Sequence, residues 1–237
     1  PPDQSDLLHV HPRTHPNWHK SQMDFERPDV DTFPDYVHAR GVQVTLEPGD
    51  VLYIPPYTWH YVETLSPSVS LSTWSHDMNV YHHMRPVYRY DHKFDIINNA
   101  EGKKFALRMY IDSMVNKMYG YNMTSEFMAR LVSNRFRALA HIYPPADADI
   151  CARNSSQPGR IPTARHVVGD VNLDMQIIYP HFAQLTAVTR DILFADYIEE
   201  LAAEVVGAER VLDFFHHCFR GQDYYVTSMD DEEHALW

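Results

Sequence analysis

The chain has 237 residues, 44% of them hydrophobic and 22% charged, which suits one domain with an appendage or two small domains and is long enough to bury a real core. A formal charge of −12 argues against a surface that tracks nucleic-acid phosphates, and no apolar run approaches the roughly 20 residues of a membrane span. Two cysteines, Cys151 and Cys218, do not make a disulfide framework, so buried thiols in a reducing intracellular compartment are expected, and because the chain begins Pro1-Pro2-Asp3 without an initiator methionine its start says nothing of a targeting segment upstream.

Residues 1–40 are rich in Pro, His and Asp and poor in periodicity; they read as an ordered loop with one short strand around Leu7 to Val10. His9, His11, His15 and His19 crowd together here. On a strand the rings of His9 and His11 would point the same way, as a shared metal requires, but Pro12 and Pro16 interrupt the strand that would carry them.

From Gly41 the pattern changes. Val42, Val44 and Leu46 alternate with Gln43 and Thr45, the period of a strand with one buried face, and Pro48-Gly49-Asp50 supplies turn chemistry. Val51 to Ile54 is a short apolar strand that Pro55-Pro56 must end, since neither proline has an N–H to donate to a ladder. His60 then opens a new strand with Tyr61 and Val62, and Ser68 to Trp74 forms the last one. A histidine that follows a rigid loop is a well-aimed imidazole, although most histidines are not ligands.

The motifs in order are Pro1-Pro2-Asp3-Gln4, His15-Pro16, Ser21-Gln22-Met23-Asp24-Phe25, Pro28-Asp29, Phe33-Pro34, Pro48-Gly49-Asp50-Val51-Leu52-Tyr53-Ile54-Pro55, Trp59-His60, Glu63 and Trp74. Together they resemble the jumonji-C, cupin-type hydroxylases, and among these the asparaginyl hydroxylases that act on hypoxia-inducible factor. The resemblance is nearly continuous over the first 75 or so residues and implies a jelly roll, with Fe(II) and 2-oxoglutarate as cofactors and hydroxylation of a protein side chain as the reaction. In that family a His-x-Asp or His-x-Glu pair and a distal histidine hold the iron. His60 matches the distal histidine. Gln22 and Asp24 match the segment beside the substrate groove, and Trp74 matches the tryptophan that walls the site. Ser72 stands where the hydroxylase has an asparagine near metal and co-substrate, which puts the cofactor contacts in question.

The His-x-Asp pair and the lysine that grips oxoglutarate precede Pro-Pro-Asp-Gln in the family. None of the sixteen histidines here is followed two residues later by Asp or Glu, so the chain as given offers one ligand of three. A jelly roll needs about eight strands, of which this reading finds four. Either an upstream half of the same polypeptide or partner chains are expected to complete the barrel.

Asp77 to Asp91 reads as a connector rich in tyrosine and histidine, in which His82 and His83 are expected to make scattered polar contacts. Two helices follow. One carries Leu107, Ile111, Met114, Val115 and Met118 on one face, the other Phe127, Met128, Leu131, Val132, Phe136 and Leu139, with Gly120 between them. The resemblance implies a homodimer interface through these helices at 100–140; packing within the chain is the alternative. Residues 146–180 read as a long irregular connection. A helix from about Ala183 to Val206 stops at Gly207, with Leu185, Val188, Ile192, Tyr197, Leu201 and Val205 near one face. A last helix holds Val211, Leu212, Phe214, Phe215 and Phe219, on which His216, His217 and Cys218 are too close in sequence to converge on one metal. Asp230-Asp231-Glu232-Glu233 is an acidic end that reads either as solvated or as held by a partner surface.

The expected fold class is α+β: the C-terminal half of a double-stranded β-helix over 1–76, a connector with a helix pair over 77–145, and a linker with a helical extension over 146–237. Two functions are carried forward. One is an Fe(II)- and 2-oxoglutarate-dependent hydroxylase represented by its C-terminal portion. The other is a catalytically silent cupin-like subunit with a structural role in a larger protein assembly. A nucleic-acid-binding module is disfavoured by the charge.

Overall fold

The computed structural model describes residues 2–145, 148–151 and 164–219. Helix formation begins where capping chemistry allows it. The Asp77 carboxylate accepts from the backbone N–H groups of Asn79 and Val80 and opens α1, Met78–Val87, satisfying donors that have no partner inside the helix. The Asn99 side chain does the same for Glu101 and Gly102 at the start of α2, Ala100–Tyr119. Gly120, at φ 108°, ends α2 in a conformation that a Cβ would penalise. Next come α3, Thr124–Arg135, and a 3₁₀ turn, Arg137–Ile142. The remaining helices are α4, Ala164–Ala183, α5, Ala187–Val206, and α6, Val211–Cys218.

Two of these helices correct the sequence reading. Asp77 to Asp91 is largely α1 rather than a connector, and 164–180 is helical rather than irregular. The buried stripe of α4 runs Val171, Asp174, Ile178, Phe182, so an acid breaks the apolar period that would have marked it. Asp174 is fully buried because the backbone N–H of Lys93 donates to both of its oxygens, at 2.8 and 3.1 Å. The α5 stripe is rotated from the expected one: the buried positions are Leu193, Phe194, Ala195, Tyr197, Ile198, Glu199, Leu201 and Ala202. The acidic end at 230–233 lies outside the described residues.

The larger difference concerns the strands. Among the described residues there is no β-strand, and the one antiparallel bridge joins Val10 to Ser21. The predicted turns do form: at Pro48-Gly49 the Asp50 N–H donates to the Glu47 carbonyl at 3.0 Å, with Gly49 at φ 98°. The segments between the turns run without ladders, and their apolar residues face water; Val51 and Leu71 are each 94% exposed. A strand exists only by pairing its N–H and C=O groups with a neighbour. The alternation in 42–46 therefore finds no ladder partner among the described residues.

The chain forms two compact units. The first comprises Pro1–His92 and Gln176–Glu200, the second Lys93–Met175 and Leu201–Trp237. In the first, Phe182 packs against Phe194 and Tyr197 with ring centroids 5.4 Å apart in both pairs. In the second, the α2 face of Ala106, Leu107, Tyr110, Ile111, Met114 and Val115 is wholly buried, and α2 packs on α3. That face is covered within its own unit, as in the intrachain packing that the sequence reading set beside a homodimer interface. The structure overturns the expectation of two free thiols: Cys151 and Cys218 form a disulfide with Cα atoms 5.5 Å apart, within the usual bridging range. It ties α6 to the 3₁₀ turn Ala148–Cys151.

Candidate functional site

Pro55 to His60 forms a second turn within the stretch from 41 to 76. The Thr58 N–H donates to the Pro55 carbonyl at 3.2 Å, closing a turn with Pro56 second and Tyr57 third. Tyr57 has φ 58°, the left-handed value that a type II turn requires at its third position and that glycine usually supplies. Within 41–76, Thr58 and Trp59 are half-buried and the other residues are exposed. The Trp59 indole N–H donates to Ser5 Oγ at 2.8 Å, and that hydroxyl in turn donates to the Pro2 carbonyl at 2.6 Å. The Pro-Pro-Asp-Gln motif and the Trp-His motif are therefore joined by a short relay of hydrogen bonds.

His60 sits at the end of this turn, exposed, with Nδ1 3.1 Å from the Thr58 carbonyl. A carbonyl only accepts, so Nδ1 is the donor of this bond. The next residue extends the site: Tyr61 O–H donates to Glu26 Oε1 at 3.1 Å, and its ring lies 5.9 Å from Phe25. The Glu26 carboxylate, accepting that bond, holds the Tyr61 phenol above its ordinary range. Phe25 also meets Tyr36, at 6.1 Å. The His60 and Asp24 stretches thus come together through their neighbours.

The side chains of Gln22 and Asp24, which the sequence reading expects on the substrate side, have local work. Gln22 Nε2 donates to the Val10 carbonyl at 2.9 Å. Asp24 Oδ1 accepts from the N–H groups of Glu26 and Arg27, an Asx turn, and Arg27 Nε lies 3.7 Å from Oδ2. Ser72 and Trp74 lie on exposed extended backbone, Trp74 at 85% exposure. His9 and His11 do not face one way: His9 packs on Phe33 at 4.8 Å, while His11 stacks on His15 at 4.2 Å with rings 7° from parallel. On α1, His82 and His83 stand edge to face. Among the described residues no group of three or more His, Cys, Asp or Glu side chains could hold a metal ion. The donor set therefore does not fit iron by itself: one exposed imidazole lacks the companions that a facial triad needs.

The signal for the Trp59 contact is present in the sequence, since an indole N–H near a protein interior needs an acceptor. Its partner 54 residues away is not. The Tyr61–Glu26 bond has no local sequence signature.

Residues 1–85 match the family described as a cupin-like domain, and this part of the chain is similar to proteins of the jumonji-C kind. It is 37% identical over 57 residues to JmjC domain-containing protein C of Dictyostelium discoideum, covering 24% of this chain and 14% of that protein. It is 47% identical over 55 residues to an HSPB1-associated protein 1 homolog of Danio rerio, covering 23% and 12%. It is 41% identical over 73 residues to lysine-specific demethylase 8 of Danio rerio, covering 31% and 16%. The chain thus spans less than a fifth of the length of these relatives. No solved structure matches it. No helix among the described residues is long and apolar enough to cross a membrane.

Proposed function

We propose that the polypeptide carrying this chain is an Fe(II)- and 2-oxoglutarate-dependent oxygenase of the jumonji-C kind, and that it oxidises a protein side chain. The supporting observation is the Pro55–His60 turn, which holds an imidazole with Nδ1 committed to the Thr58 carbonyl; the sequence resemblance matches this histidine with the family's distal ligand. Similarity to a protein named as a lysine-specific demethylase agrees with a protein side chain as substrate class. In this reading the four exposed apolar segments between 42 and 74 are half of a jelly roll. The other half, bearing the remaining ligands and the oxoglutarate lysine, would precede Pro-Pro-Asp-Gln in the polypeptide. Gln22 and Asp24 would line the substrate side and Trp74 would wall the site. No step is assigned to the metal, because these residues alone do not fit it.

The test is succinate release from 2-oxoglutarate by the polypeptide that includes the upstream half, with and without His60→Ala. Release lost in a folded variant is the expected result. Release unchanged by the substitution, or none from the intact polypeptide, would reject the reading and leave a scaffold role. The 237-residue chain by itself is expected to release none.

A further inference from the structure

Gln22 stands on the return of a loop that leaves at Val10 and comes back at Ser21. The base of this loop is tied by main-chain bonds: His11 N–H to the Lys20 carbonyl at 3.0 Å and Gln22 N–H to the His9 carbonyl at 2.9 Å. Further along the loop, Arg13 meets α5. Its backbone N–H donates to Glu199 Oε2, its Nε donates to Glu200 Oε1 at 2.6 Å, and its guanidinium carbon lies 3.8 Å above the centroid of the Trp18 ring.

Glu199 is fully buried, and a buried carboxylate is tolerated only where donors compensate its lost hydration. Consecutive helix positions point about 100° apart, yet Glu199 and Glu200 engage the same residue, one through its main chain and one through its side chain. That arrangement fixes both the place of the loop and the direction of Arg13. Trp18 then holds the guanidinium from a third side, a stacking that Lys would not reproduce. Asp196 extends the same acidic face: burial first, and then Asp196 and Glu200, push the nearby Tyr88 phenol above its ordinary range, with Arg13 opposing them. All of these residues belong to the first compact unit, while the cupin-like match ends at residue 85.

We infer that the Ala187–Glu200 part of α5 is a built-in buttress of the Val10–Gln22 loop, with Glu199 and Glu200 as positioning residues that act through Arg13 on Gln22. Calling that loop the substrate side rests on the function proposed above; the buttress does not.

The test uses the complete chain carrying Arg13→Glu, Glu200→Arg or both, plus Glu199→Gln, with hydrogen exchange read amide by amide. Each single change is expected to speed exchange over residues 10–22 about tenfold while α2 and α3 keep their protection. The double charge reversal restores the ion pair but not the stack on Trp18, so it should recover part of the slow exchange. Unchanged exchange in the single variants, an equal rise across α2 and α3, or no recovery in the double variant would overturn the inference. In the polypeptide with its upstream half, Glu199→Gln should raise KM for the protein substrate more than it lowers kcat. If no turnover exists to measure, the oxygenase reading fails while the exchange result still decides the buttress.

Discussion

Reducing the Cys151–Cys218 bond should weaken the second compact unit by an amount that its loop length sets. The two cysteines are 67 residues apart in sequence. Closing a loop of that size removes chain entropy from the unfolded state worth about 4 kcal/mol near room temperature. At roughly 2–4 °C per kcal/mol for a domain of this size, the unfolding midpoint should fall by about 10 °C. The loss should be concentrated at α6 and the Ala148–Cys151 turn, where Phe214, Phe215 and Phe219 pack and where the Lys104 ammonium donates to the Ile150 carbonyl at 2.6 Å. The assay has two parts: thiols are titrated in denaturant on protein purified without reductant, and thermal unfolding is followed with and without a dithiol. No free thiol, and a lower midpoint after reduction, is the expected pair of results. A Cys151→Ser/Cys218→Ser variant should start at the lower midpoint and ignore the reductant. Two thiols per chain in the untreated protein, or a midpoint indifferent to reduction, would refute the reasoning.

Two further outcomes are expected. Burial, helped by the neighbouring His15 and Lys20 charges, lowers the His11 pKa from 6.5 to about 4. Between those values the unfolded chain binds the extra proton, so stability should be whole above pH 6.5 and fall as the pH drops toward 4. The full shift would be worth about 3 kcal/mol, and solvent screening of a partly exposed ring reduces this to about 1–2 kcal/mol. Denaturant unfolding of His11→Phe should show a flatter profile over that range, and parallel profiles would contradict the assignment. Gly207→Ala places a Cβ 2.8 Å from Glu209 Oε1 at a residue with φ 87°. It should cost about 1 kcal/mol by urea midpoint at unchanged slope, whereas an equally stable variant would show that the chain relaxes around it.

What the sequence made legible was local. Pro48-Gly49, Gly120 and Gly207 are turns or helix ends because their backbones need conformations that few residues accept. The 3.6-residue period exposed α2 and α3, and Leu107, Ile111, Met114 and Val115 are buried as that period requires. It failed on α4, where Asp174 sits in the stripe, and on α1, where histidines and tyrosines masked a helix that the Asp77 cap announced. His60 could be picked out because prolines and aromatics set its loop. Its supports could not, since Ser5, Arg13 and the Glu199–Glu200 pair are brought together only by tertiary folding. The disulfide was hidden for the same reason: separation along the chain carries no information about approach in space.

The unpaired stretch also bears on how the chain behaves at high concentration. Val51-Leu52-Tyr53-Ile54 is uncharged and β-prone, and its N–H and C=O groups face water, as they do in segments that template cross-β assembly. Asp50 stands before it and Pro55-Pro56 after it, one repelling and the others unable to continue a ladder. The prolines that shape the His60 turn thus serve as gatekeepers against self-association. Substitutions meant to loosen the turn at Pro55 or Pro56 will therefore lower solubility as well as displace the imidazole.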